Sequence, residues 1–200
     1  SACAETGLGG GKSVIIGDPR KKSADMFHAM GRFVDSFGGK YITAEDMNIG
    51  IADLEEVKKA TKWVTGLSRE SGSSGNPSPY TAIGCVHGMR AILEQLEGKI
   101  DFKGKHVLIQ GVGAVGGRLA ELLKNEGAKI TICDINEERV AQLAKQHGYA
   151  TVADKDHLDV ACDIYAPCAR GAGLNDQTIP RLKCRAIGGV ANNQLHETRH

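Results

Sequence analysis

No C-x-x-C pair occurs in this chain, although it carries six cysteines, Cys3, Cys85, Cys133, Cys162, Cys168 and Cys184. Zinc-ribbon and thioredoxin chemistry therefore lack support. The seven histidines are scattered, and His87 and His106 read as solvent-facing or charge-capping groups rather than metal ligands. No apolar run approaches the length of a membrane-spanning helix. The first residues, SACAETGLGGGK, have neither a basic region nor an apolar core, so they do not read as a signal peptide. There is no internal repeat and no low-complexity tract. The charge is almost balanced, at +1, which favours neither nucleic acid nor an anionic membrane over a small molecule. Several cysteines sit in apolar runs as small buried hydrophobes. That usage suits a reducing cytoplasm.

What is present is concentrated in one stretch, KHVLIQGVGAVGGRLAELLKNEGAKITICD, from Lys105 to Asp134. Val107-Leu108-Ile109 is long enough for a buried strand. Gly111, Gly113 and Gly116 follow in G-x-G-x-x-G spacing. Val115, Leu119, Leu122 and Leu123 then recur on one helical face, and Gly127 ends the helix. Ile130 to Cys133 is a second strand that delivers Asp134. Gly111 permits the tight turn, Gly113 lets a pyrophosphate approach the backbone, and Gly116 lets helix and strand pack closely. The helix N-terminus faces the phosphates. A carboxylate at Asp134 accepts hydrogen bonds from a ribose diol and repels a 2′-phosphate, which favours NAD over NADP. The strand, helix, second strand and acid around the glycines give the motif its context.

Upstream, Gly9-Gly10-Gly11-Lys12 leads into Ser13-Val14-Ile15-Ile16, which reads as a buried strand ended at Gly17-Asp18-Pro19. A P-loop is excluded, because a strand rather than a helix follows Lys12-Ser13. On its own, Lys12 also reads as a solvated charge. Ser23 to Phe37 is an amphipathic helix capped by Ser23, with Met26, Phe27, Met30, Phe33, Val34 and Phe37 as its core stripe and Gly38-Gly39 as its stop. Tyr41-Ile42-Thr43 is a short strand that carries Ala44-Glu45-Asp46 to its end; alone, Asp46 reads as a helix cap or a solvated acid. Ala52 to Thr61 is a second helix, with Asp53 at its start and a Glu55–Lys59 pair.

Trp63 to Gly66 runs into a loop rich in Ser, Gly and Pro, Ser68 to Pro79. A helix from Thr81 to about Leu96 turns Ile83, Val86, Met89, Leu93 and Leu96 inward. Past Asp134, a helix spans Glu137 to Gln146 and stops at Gly148. Strands follow near Ala150–Val152, Asp163–Pro167 and Arg185–Gly189. Alternating strands and helices imply an α/β fold, a doubly wound parallel sheet of Rossmann type with right-handed crossovers. Its ligands gather at the carboxyl ends of the strands, where Cys168 and Asn193 lie.

The segments GLGGGKSVIIGDP, YITAEDMNIGIADLEEV, GNPSPYTAIG, IQGVGAVGGRLAELL, DIYAPCARGAGLND and ANNQLHETRH resemble, in collinear order, the motifs of the Glu/Leu/Phe/Val amino-acid dehydrogenases. The likeness is greatest to members acting on leucine and valine; the glutamate enzymes usually have alanine where this chain has Gly11. The resemblance implies NAD-dependent, reversible oxidative deamination of a branched-chain L-amino acid to its 2-oxo acid and ammonium. It implies Lys12 and Asp46 as catalytic residues, and Ala44 and Thr65 as substrate-pocket residues. The implied cofactor contacts are Thr81, Gly111, Gly113, Ala114, Val115, Gly116, Asp134, Cys168, Ala169 and Asn193. It further implies a partial α/β substrate domain over residues 1–66, an NAD-binding domain over 67–200, and a homo-oligomer for the full-length form.

The same resemblance implies truncation at both ends. The family's carboxylate-gripping lysine would stand just before Ser1, and the rest of the dinucleotide sheet would follow His200. Three rival readings therefore stand beside a leucine-type enzyme: an NAD-binding fragment without turnover, a non-catalytic partner of a longer subunit, and an enzyme for valine or an aromatic amino acid. A one-methylene difference between substrates is worth only about 1–3 kcal/mol.

Overall fold

The structure is a computed structural model that describes Glu5 and residues 7–73 and 75–200. Cys3, most of the N-terminal stretch before Gly7, and Ser74 of the Ser/Gly/Pro loop lie outside the described residues. The chain forms two compact units that divide between Pro77 and Ser78.

In the first unit, the Ser23 side chain accepts a hydrogen bond from the Met26 N–H (3.3 Å) and starts helix α1, Ala24–Asp35. Only part of the expected stripe is core. Phe27 and Val34 are buried, whereas Phe33 and Phe37 are partly exposed and meet edge to face at 5.1 Å. Helix α2, Ile51–Lys58, buries Leu54 and Val57. Asp53 acts at its start, where its carboxylate accepts the Gly50 N–H at 3.0 Å. The expected Glu55–Lys59 pair is not made. Lys59 turns to Glu56 at 2.6 Å, and Glu55 accepts a hydrogen bond from the Ser71 hydroxyl at 2.9 Å.

Two expected strands are corrected. Ser13–Ile16 has no ladder, and Val14 and Ile16 are 79% and 99% exposed. An extended segment becomes a strand only when a neighbour takes its N–H and C=O groups, and no described residue does so here. Tyr41–Thr43 shrinks to one parallel bridge between Thr43 and Val64, with Thr43 N–H donating to the Trp63 carbonyl and Thr65 N–H to the Thr43 carbonyl.

The second unit is an open five-stranded sheet. Its strands are β1 (His106–Gln110), β2 (Lys129–Cys133), β3 (Ala150–Thr151), β4 (Cys162–Pro167) and β5 (Cys184–Ile187), in the order β3-β2-β1-β4-β5. All pairings are parallel. Between these strands run α4, Ala114–Asn125, and α5, Glu137–His147; α3, Ser78–Glu97, precedes them and packs on α4. Side chains alternate across a strand. Val107, Ile109, Ile130, Ile132 and Ile164 therefore join Val86, Met89, Leu93, Leu119 and Leu123 on the helical face. Leu108 and Tyr165 point the other way, towards Leu158 and Leu174. That second face is covered by a 3-10 segment, Asp154–Asp159, rather than by a full helix. In α3, Ala82 takes the inward place expected of Ile83, and Ile83 and Leu96 are each 42% exposed.

The order of β1 and β4 matters most for function. The chain winds outward from β1 to β3, then returns to β4 on the opposite side of β1. The carboxyl ends of β1 and β4 thus flank the switch point where open α/β sheets take their ligands.

Candidate active site and cofactor cradle

At that switch point the three glycines have different surroundings. Gly111 has φ +93° and donates its N–H to the Cys133 carbonyl at 2.8 Å. A Cβ on Gly111 would stand 2.7 Å from the Ala169 Cβ and 2.9 Å from the Cys168 carbonyl carbon. A Cβ on Gly116 would overlap the Gly111 carbonyl oxygen. Both glycines are therefore demanded by packing. Gly113, at the N-terminus of α4, has nothing within 4 Å of its missing Cβ. Its openness is what a ligand phosphate needs, because the amides of Ala114, Val115 and Gly116 open the helix without intrahelical partners. Ala114 is exposed, and Val115 packs partly on the core.

Asp134 follows β2 directly. Its Oδ2 accepts the Val112 N–H at 2.8 Å, and its Oδ1 accepts the Asn136 N–H at 2.9 Å. Each carboxylate oxygen keeps a further lone pair, enough to accept a ribose diol. The residues present therefore fit a dinucleotide. On the β4 side, Cys168 donates its N–H to the Gln110 carbonyl at 2.7 Å, and Ala169 lies against Gly111. Burial pushes the Cys168 thiol up to about 12, so it keeps its proton at neutral pH. Asn193 has φ +48° and accepts the Ala172 N–H at 2.7 Å, which ties the segment after β5 to the one after β4. Thr81 lies in the opening turn of α3 and is exposed.

The first unit holds the other predicted group. Lys12 and Asp46 form an ion pair, with side chains 63% and 45% exposed. The Thr43–Val64 bridge sets Ala44 and Thr65 at its end, both exposed. Beyond Asp46, its carbonyl accepts the Ile49 N–H at 2.9 Å in a tight turn with Asn48 at φ +61°. Lys22 pins this turn to α2 through the Asn48 carbonyl (2.8 Å) and Asp53 (2.5 Å). Gly11 rests on the Tyr41 ring, and Tyr41 also bonds Ser13 at 2.9 Å. Within this unit the Lys12 side chain is mostly in solvent.

The hydrogen bond from Lys12, then that from the Met47 N–H, hold the Asp46 carboxyl below its ordinary range. A lowered pKa in the folded state contributes stability above the ordinary carboxylate pKa of about 3.9 and loses it as pH falls through the lower folded value. Lys12→Ala is expected to raise the Asp46 pKa part of the way back, the Met47 contact remaining. A carboxyl-carbon NMR titration of both proteins checks this, and an unchanged midpoint would refute the pairing.

Sequence spacing missed two features. Arg139 donates from Nε to the Val112 carbonyl inside the glycine turn, a tertiary bond with no periodic signature. Cys133, Asp154 and His157, scattered in sequence, bring metal-type donor atoms within 4.8 Å of one another. Burial, then the carboxylates of Asp154 and Asp134, push the Cys133 thiol up to about 12, and His157 Nδ1 is already bonded to the Asp154 carbonyl.

The model for the Glu/Leu/Phe/Val dehydrogenase dimerisation domain matches residues 1–63, and that for Glutamate/Leucine/Phenylalanine/Valine dehydrogenase matches 72–137. The chain belongs to the Glu/Leu/Phe/Val dehydrogenase family. A TrkA-N domain model also matches, over 107–172. The leucine dehydrogenase of Geobacillus stearothermophilus is 50% identical over 201 residues, covering 100% of this chain and 55% of that protein. The valine dehydrogenase of Streptomyces virginiae is 46% identical, over 94% of this chain and 53% of its own length. Among solved structures, L-tryptophan dehydrogenase from Nostoc punctiforme superposes with a TM-score of 0.71 at 35% identity, over 99% of this chain and 56% of that one. The chain thus spans about half the length of the relatives it matches in this dehydrogenase family.

Proposed function

We propose that the protein carrying this chain is an NAD-dependent L-amino-acid dehydrogenase. It converts a branched-chain substrate of the leucine type to the 2-oxo acid and ammonium, and runs in reverse. The observation that carries this reading is the cradle: Gly111 and Gly116 are closed by packing, Gly113 opens to solvent, and Asp134 is fixed at the end of β2. When bound, the nicotinamide supplies the acceptor for the substrate Cα hydride. The protein's residues do the rest. Asp46 takes a proton from the substrate ammonium, and Lys12 holds and deprotonates the water that attacks the resulting imine carbon. Ala44 and Thr65 line the side-chain pocket, and the backbone of Cys168 and Ala169, with Thr81 and Asn193, orients the nicotinamide end.

In this proposal the residues up to the Ser/Gly/Pro loop serve substrate and the remainder serves NAD. The dimerisation-domain match supports self-association. Among the described residues no helix is long and apolar enough to cross a membrane, and the five described cysteines are free, as suits the cytoplasm. A second reading, cofactor binding without turnover by the chain alone, is favoured by the exposure of Lys12.

An assay of NADH formation from NAD with L-leucine, L-valine and aromatic amino acids decides between them. Turnover led by leucine supports the enzyme. NADH binding without turnover on any substrate selects the second reading, and absence of NADH binding rejects both.

A further inference from the structure

Asp134, Asn136, Arg139 and Val112 form a closed circuit. The Val112 N–H donates to Asp134 Oδ2 at 2.8 Å, and the Asn136 N–H donates to Asp134 Oδ1 at 2.9 Å. The Asn136 side chain then accepts the Arg139 N–H at 3.0 Å, capping α5. Arg139 closes the ring by donating from Nε to the Val112 carbonyl. Its Nη2 lies 4.0 Å from where a Gly117 Cβ would stand, beside the opening turn of α4. The backbone around Val112 is therefore held through its N–H by an acid and through its carbonyl by a guanidinium. The Val112 side chain is wholly buried, which fixes its residue from a third direction.

We infer that Arg139 is a positioning residue of the cofactor site: it holds the glycine turn and Asp134 in one rigid arrangement before the dinucleotide arrives. The inference rests on the dinucleotide reading of the cradle. Arginine suits the task because its planar fork keeps a permanent charge and fixes direction, whereas lysine offers a mobile point donor. A turn already held in its binding geometry loses less ordering entropy on association. Without Arg139 the Val112 carbonyl loses its charged donor, and Asp134 loses the far anchor of its main partner. The ribose end of the ligand then suffers more than the phosphate end, because Asp134 discriminates at the 2′-hydroxyl.

The test uses the whole chain with Arg139→Ala and Arg139→Lys. NADH and NADPH affinities are read by fluorescence, and Val112 amide exchange is read without cofactor. In Arg139→Ala, NADH affinity should fall about tenfold or more, as befits a lost hydrogen bond to a charged group. The preference for NADH over NADPH should narrow, and Val112 exchange should quicken. Arg139→Lys should recover part of the NADH affinity and of the protection. Unchanged NADH affinity, or equal losses for both cofactors with unaltered Val112 exchange, would overturn the inference. A wild-type chain that binds no NADH would instead overturn the dinucleotide reading, and this role with it, while Val112 exchange would still report whether Arg139 holds the turn.

Discussion

Lys12→Ala is expected to lower kcat for amino-acid oxidation by about two to four orders of magnitude, the range of a positioned acid–base group. Stability should barely move. The Lys12–Asp46 pair is exposed on both sides, and such pairs contribute about 0–1 kcal/mol. Activity and stability are therefore separable at this position, and that gives the experiment its force. The measurement is steady-state turnover by the protein that carries this chain, beside a thermal melt and NADH affinity for each form. NADH affinity should be unaltered, because every cofactor-cradle residue belongs to the second unit. If the variant keeps the parental kcat with an intact melt, Lys12 is only a solvated charge. Lys12→Arg should not rescue the rate: a guanidinium stays protonated and cannot accept the proton from water.

The second large effect is a contrast between two glycines three residues apart. Gly116→Ala should both destabilise the second unit and abolish NADH binding. The added methyl overlaps the Gly111 carbonyl oxygen, and backbone cannot move aside as a flexible side chain would. Overpacking of this kind costs about 1–3 kcal/mol, occasionally more. Gly113→Ala should leave the fold nearly unchanged, since φ at this position is −66° and the new methyl meets nothing within 4 Å. A capping-position change from glycine to alanine costs at most about 1 kcal/mol. NADH affinity should nevertheless fall at least tenfold, because the methyl stands where the phosphates approach. Equal melting temperatures with normal NADH binding in Gly113→Ala would remove the phosphate role from this glycine.

Legibility in the sequence followed the range of the forces involved. The β1–α4–β2 unit with Asp134 was readable because local periodicity, glycine chemistry and a fixed separation all agree there. So were the Ser23 cap and the stop at Gly148, which is left-handed at φ +67°. The Ser13–Ile16 strand failed because apolar β-branched residues state a preference, while a ladder needs a partner. Glu55 departs from the expected pair with Lys59 because i,i+4 spacing competes with any donor the loop brings near, and Ser71 is such a donor. Ile83 and Ala82 exchanged roles because one residue of helical phase, 100°, separates a buried face from an exposed one. Arg139 was invisible for the opposite reason: its bond joins α5 to the glycine turn, and no period encodes it.

The absence of a side chain at Gly111 also limits its neighbours across the switch point. The space that a Cβ would fill belongs to Ala169 and to the Cys168 backbone. A larger residue at 169, or a different path for the chain after β4, presses on the turn after β1. These two loops, distant in sequence, must be inherited as a matched set. A chimera that grafts the glycine loop of one relative onto the post-β4 loop of another inherits a steric debt at this contact, however similar the rest of the two parents.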